Sequence, residues 1–295
     1  MLKRIGLFLL TNLLVVLTVS VILSFALPAL GIDPKSLVGL ALFCGIFGMA
    51  GAFISLAISR WMAKRAYSIH LITGQEADYN LRALYDMVAR LARQGGLTEV
   101  PEVGIYESPE PNAFATGPSR KRSLVAFSTG LLNSMNSEEV EAVAAHEISH
   151  ITNGDMVTMT LLTGIANALV MFLARVVTFA IDTFLRDDDG EGGLGFIARI
   201  AVTMALETVF MLIASIPLAW FSRRREYRAD AGSAGLTSPR AMIHALEALA
   251  RTADIPQPKD SFAMAKISSS RRVSLWSTHP SLEDRIARLS QSQQG

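Results

Sequence analysis

Four long apolar runs divide the chain. Ile5 to Leu27 carries no charged residue, and its roughly 23 residues suit a hydrocarbon core about 30 Å thick. A cleavable signal peptide ending near Ser24-Phe25-Ala26 is the rival reading, but the apolar core is long for one and a second run follows at once. Ser36 to Ser59 is that second run, uncharged and dotted with Gly39, Gly45, Gly48 and Gly51. Small residues of this kind let membrane helices pack closely. Met156 to Ile181 is the third, broken only by Arg175. After an acidic turn comes the fourth, Ile197 to Phe221, with Arg199 near its start, Glu207 inside it and Arg223-Arg224-Arg225 at its end.

The stretches between read as soluble. Glu76 to Arg93 predicts an amphipathic helix, with Leu81, Leu84, Tyr85, Val88 and Leu91 on one stripe. Val103 to Tyr106 and Ser123 to Phe127 read as short strands. Asn112 to Gly117 between them reads as a loop or a short edge strand. Ser238-Pro239-Arg240 starts a helix through Arg251, residues 253–270 read as loop, and a last amphipathic helix follows Thr278-His279-Pro280 with Leu282, Ile286 and Leu289 in its stripe. The expected organisation is a two-span hairpin (1–60), a first soluble part (61–155), a second hairpin (156–221) and a second soluble part (222–295). The fold class is mostly α, within α+β: four transmembrane helices plus a soluble domain with a small β-sheet.

Composition agrees. Hydrophobic residues make up 51% and charged residues 18%. A net charge of +1 gives no bulk attraction to nucleic acid. The single cysteine, Cys44, has no intrachain disulfide partner. Lys3, Arg4, Arg60, Lys64, Arg65 and the triple arginine flank one side of the four runs, while Lys35 and Arg186 are the basic residues of the two opposite turns. By the positive-inside rule both termini and both soluble parts face the cytosol. The second hairpin then leaves and returns on one side, bringing the ends of the two soluble parts together.

One of those ends reads His146-Glu147-Ile148-Ser149-His150, an H-E-x-x-H pattern. On a helix, residues four apart share a face, so two imidazoles can hold one zinc ion. Glu147 lies one residue on, placed to take a proton from water and return it to a leaving amine. Asn136 or Ser137 is a fitting N-cap, Glu138 and Glu139 favour the helix start, and Asn153-Gly154 is a stop signal. Catalytic zinc takes three protein ligands and keeps a fourth position open. After the hairpin, Glu226 and Asp230 stand one turn apart. Glu226 is the expected third ligand, and Asp230 the group that accepts the outer N–H of a ligating histidine.

These residues, with Asn153-Gly154-Asp155-Met156, Asn112-Ala113-Phe114-Ala115-Thr116-Gly117 and Thr278-His279-Pro280, resemble the HtpX family of membrane zinc endopeptidases. The resemblance covers nearly the whole chain. It implies a zincin-type catalytic domain, one Zn2+ per chain held by His146, His150 and Glu226, and Glu147 as general base. It also implies a bacterial inner-membrane setting, polypeptide substrates that are themselves membrane proteins, and a role in stress response and protein quality control. Asn112, Ala113, Phe114 and Ala115 resemble the family's edge strand, to which a peptide could add as a further strand. His279 has two readings, an oxyanion donor or a helix cap. His70 and His244 fall outside ligand spacing. Two other functions stay open: a prenyl-protein (CaaX-type) peptidase, and a zinc-bearing membrane scaffold without activity. Arg175 and Glu207 sit at similar depths of the third and fourth runs, and ionisable groups in a membrane seek partners. They are expected to pair.

Overall fold

The computed structural model describes residues 25–26, 28–33, 36–186, 192–253 and 277–292. The first apolar run, apart from residues 25 and 26, lies outside them, as do Asp187-Asp188-Asp189 and the stretch 254–276. The first elements are α1 (Leu37–Ala66), β1 (His70–Ile72), α2 (Tyr79–Gln94), β2 (Glu102–Tyr106), β3 (Ala113–Ser119) and β4 (Arg122–Ser128). Then come α3 (Thr129–Ser134), α4 (Ser137–Asn153), α5 (Asp155–Phe184), α6 (Phe196–Leu236), α7 (Pro239–Ala253) and α8 (Leu282–Ser292). Mean hydropathy and length qualify α1, α5 and α6 as membrane-spanning, three among the described residues. The fourth apolar run does not end its helix at the triple arginine. Arginine, glutamate and alanine are good helix formers and no proline follows until Pro239, so α6 continues through Gly232 and Gly235 to Leu236.

The chain divides into two compact units, Met1–Ile54 with Leu161–Ser215, and Ser55–Thr160 with Ile216–Gly295. The first is helical. Gly48 meets the backbone of Gly164 and Ala168 so closely that a Cβ there would collide, and Gly164 in turn abuts Met49. Arg175 Nη1 donates to Glu207 Oε1 at 2.8 Å, as the matched depths predict, and Thr178 and Thr203 hydroxyls meet beside it at 3.1 Å. A double-mutant cycle with Arg175→Ala and Glu207→Ala, read as thermal stability in detergent, should give a coupling of about 1 kcal/mol. Strictly additive losses would show that the contact contributes nothing.

The second unit holds a four-stranded sheet in the order β1-β2-β4-β3, in which β2 and β4 are parallel and the other pairs antiparallel. Central β4 is buried on both faces. The pattern of apolar positions does not announce two elements: β1, three residues too short for a period to show, and α3, six residues capped by Ser128. Residues 113–117 of the segment 112–117 lie in β3, whose only strand neighbour among the described residues is β4. Helix α4 packs against β3 and β4 and against α2 and α7, with Ile148 and Ile151 in a common core with Phe127, Leu131, Leu246 and Leu249.

Candidate active site

Helix α4 starts and stops where its sequence says. Asn136 Oδ1 accepts the Glu139 N–H, and Glu139 Oε2 accepts the Asn136 N–H, both at 2.9 Å. This reciprocal box satisfies two of the helix's otherwise orphaned donors. At the far end Gly154 takes φ +71°, a left-handed C-cap that a side chain would strain. The α6 segment after Ile216 crosses α4 closely. A Cβ on Gly232 would collide with the Ser149 side chain, and Ser233 Oγ donates to Ala142 O at 2.7 Å. That approach carries Glu226 and Asp230 to the H-E-x-x-H face.

His146, His150 and Glu226 converge. The two Nε2 atoms stand 3.2 Å apart, Glu226 Oε2 is 3.6 Å from His146 Nε2, and Glu226 Oε1 is 3.4 Å from His150 Nε2. His146 and Glu226 are buried and His150 nearly so. Each outer nitrogen faces a carboxylate: His146 Nδ1 lies 3.0 Å from Asp230 Oδ1, and His150 Nδ1 lies 2.7 Å from Asp155 Oδ2. An ionised carboxylate only accepts, so each Nδ1 bears the hydrogen and each neutral ring turns a lone pair inward. Two lone pairs and a carboxylate therefore meet with no donor of their own between them. Glu226 Oε1 is buried and lacks a hydrogen-bond partner. Donors about 2.0–2.1 Å from one tetrahedral ion stand about 3.3–3.4 Å from each other, and the separations here bracket that value. The three side chains fit a small divalent cation.

Electrostatics point the same way. Burial alone would lower the His146 pKa, but hydrogen bonds with Asp230 and Glu226 raise it to about 9. Without a cation the ring holds a proton in the place the donors surround. Burial would raise Glu226, and its contacts with His146 and His279 bring it well below the usual carboxylate range. Asp230 is likewise pushed up by burial but drawn down to about 2, first by the charge of Arg285.

Glu147 is buried on the same helix. No hydrogen bond or ion pair holds its carboxylate among the described residues, although its charge acts on Tyr106 and Arg285. His279 comes within reach, with Nδ1 3.2 Å from Glu226 Oε2. It does not cap the last helix: Ser281 Oγ accepts the Asp284 N–H instead. Asn112 immediately precedes β3, its Nδ2 donating to the Tyr106 hydroxyl at 3.0 Å, while Ala113, Phe114 and Ala115 pair with Phe127, Ala126 and Val125. His70 begins β1, at the opposite edge of the sheet from β3, and His244 lies on α7.

Two residues at the site carry no role in the sequence reading. Arg285 is 1% exposed; its Nε donates to Asp230 Oδ2 at 2.8 Å and Nη2 to Oδ1, a bidentate clamp. Its signal was available. Leu282, Arg285, Ile286 and Leu289 share one helical stripe, so the arginine occupies a core position. Asp155, fully buried, orients His150 and also accepts from Arg228 Nη2 at 3.1 Å. A lone aspartate at the head of a membrane run marks it in hindsight.

The sequence pattern of peptidase family M48 matches residues 78–293. Curated relatives named Protease HtpX, from Shewanella oneidensis and Aeromonas hydrophila, are each 48% identical over 289 and 293 residues, spanning 97% of this chain and 99% of theirs. The chain belongs to peptidase family M48. The M48 chain is accordingly a metalloprotease, a hydrolase with polypeptide substrates, and its apolar helices make it a multi-pass membrane protein. The crystal structure of S. mikatae Ste24p shares the fold, with a TM-score of 0.61 at 18% identity, covering 98% of this M48 chain and 66% of that one.

Proposed function

We propose that the chain is a zinc endopeptidase of the bacterial inner membrane, spanning it four times with both termini and the active site cytosolic. Its substrates are misfolded or damaged membrane proteins, in quality control under stress. The sequence supports the membrane arrangement: the basic residues flank one side of the apolar runs, and residues 5–27 supply a fourth. The four sequence segments, 1–60, 61–155, 156–221 and 222–295, are then two membrane hairpins alternating with two parts of one catalytic domain.

The observation that carries the reading is the meeting of two imidazole lone pairs and the Glu226 carboxylate at the helix of Glu147, a carboxylate without a hydrogen bond or ion pair among the described residues. In this reading His146, His150 and Glu226 hold the ion, while Asp230 and Asp155 fix the two histidine tautomers. When bound, zinc polarises the scissile carbonyl and lowers the pKa of water towards about 7. Glu147 accepts the proton of the attacking water and delivers it to the amine nitrogen as the peptide bond breaks. His279, with Nδ1 turned to Glu226, offers Nε2 to the developing oxyanion. The free edge of β3 accepts substrate as an added strand, by backbone bonds that do not depend on side-chain identity. That suits an enzyme that meets many damaged sequences.

Casein cleavage by the purified full-length chain in detergent tests the chemistry. Cleavage should vanish on treatment with a chelator and return with one equivalent of Zn2+. Undiminished cleavage by the metal-stripped chain would sink the reading. Comparison of membrane proteomes with active and inactive protein then identifies the substrates.

A further inference from the structure

A second built feature lies in the unit formed by Ser55–Thr160 with Ile216–Gly295. Trp220, Tyr227, Arg223, Arg224, Arg228 and Arg288 line a groove of about 560 Å³. All but Arg288 fall on one face of α6, at spacings of three, four, seven and eight residues from Trp220. Arg288 comes from α8. The Arg224 guanidinium carbon stands 5.5 Å from the Trp220 ring centre, and that of Arg288 stands 4.6 Å from the Tyr227 ring centre. Stacking of this kind fixes the guanidinium plane and leaves its N–H edge for an acceptor.

The groove has cations in excess. Arg223 Nη1 donates to Ser277 O, so the excess is carried by Arg224 and Arg288. Arg228 is paired with Asp155, and Asp284 is near enough to act on the Tyr227 hydroxyl. Among the described residues no carboxylate forms an ion pair with Arg224 or Arg288. The groove also has a definite position along the chain. Residues 208–222 of α6 carry no charge, and the arginines begin at the next residue. Trp220, 54% exposed, stands at that boundary. Exposed tryptophan beside an apolar span is the composition of a membrane–water interface, and clustered arginine there recognises phosphate.

We propose that this groove binds the phosphate of an anionic phospholipid, with the lipid's glycerol backbone against Trp220. A free phosphate would satisfy the arginines but leaves the exposed indole unused. An acidic peptide would need no apolar boundary. The proposal rests on α6 spanning the membrane and does not require a bound metal, although Arg228 of the groove also contacts Asp155.

Native mass spectrometry of the full-length protein in detergent, with phosphatidylglycerol or phosphatidylcholine added at equal concentration, tests it. Phosphatidylglycerol should be retained over phosphatidylcholine by about tenfold or more, because each interfacial arginine contributes on the order of a fivefold preference. The pair Arg224→Gln with Arg288→Gln should erase that preference, and Arg224→Lys with Arg288→Lys should keep most of it. Metal content and peptide hydrolysis should be unchanged in both pairs. The exposed single change Arg224→Gln, with its melting temperature, guards against a folding defect in the double variant.

Equal retention of the two lipids would overturn the proposal, and so would undiminished preference in the glutamine pair. Displacement of the lipid by millimolar inorganic phosphate would assign a small-anion site instead, and displacement by a soluble acidic peptide a peptide site. A chain that stays monodisperse without detergent would fail the membrane reading itself. A chain that needs detergent but shows no lipid preference would fail the groove alone.

Discussion

Glu147→Gln is expected to keep the wild-type metal content and to lose peptide hydrolysis by about 10²–10⁴-fold. The substitution preserves size, so the buried position on α4 need not repack. None of the three converging donors is touched. What disappears is an acceptor for the proton of water, since an amide oxygen has too little basicity. The native carboxylate suits that task because no hydrogen bond or ion pair restrains it among the described residues, whereas Asp155 and Asp230 are each committed to a histidine and an arginine. Metal content and cleavage should be measured on one preparation. Wild-type turnover with full metal would remove Glu147 from the mechanism, and loss of metal would make it a structural partner of the ligands.

Much of this was legible in the sequence because it is local. The Asn136–Glu139 box, the H-E-x-x-H spacing and Gly154 all lie within one helix, where period and capping rules apply directly. Glu226 was legible because the expected hairpin, if it returns to the same side, implies proximity to the H-E-x-x-H helix. The Arg175–Glu207 pair followed from depth alone, since spans that cross together hold residues of equal depth level. What stayed hidden depends on three-dimensional approach. Arg285 is 139 residues from His146, and only burial of α8's stripe brings it to Asp230. Asp155 reads as the last polar residue before an apolar run, and its fully buried carboxylate is visible only once α4 and α5 are turned at Gly154. Strand β1 pairs His70–Ile72 with Val103–Ile105, a match that three residues cannot announce.

Glu226→Ala and Asp230→Ala should separate metal binding from metal tuning. Glu226→Ala removes one of three donors and leaves two imidazoles with no carboxylate between them. Metal affinity should fall by more than the roughly 10–100-fold expected for an orienting partner, and cleavage should be lost with it. Asp230→Ala keeps all three donors and should retain metal at saturating concentration, with a loss of about 10–100-fold in affinity or activity. It also breaks a close bidentate clamp, whereas Glu226 meets its arginines only at 3.6 Å (Arg225) and 4.0 Å (Arg285). Arg285 is buried and clamped on Asp230, and removing one member of a buried pair costs about 3–5 kcal/mol. Asp230→Ala should therefore melt at lower temperature than wild type, and adding Arg285→Met should restore most of the stability without restoring His146 orientation. Acid should act in the same direction as loss of a donor. His146 binds a proton below about pH 9 when no metal is present, so protons compete increasingly with metal as pH falls. Metal retention should decline on acidification, and equilibrium dialysis across a pH series measures it. If Glu226→Ala holds a full equivalent of metal while Asp230→Ala does not, the two carboxylates have exchanged roles.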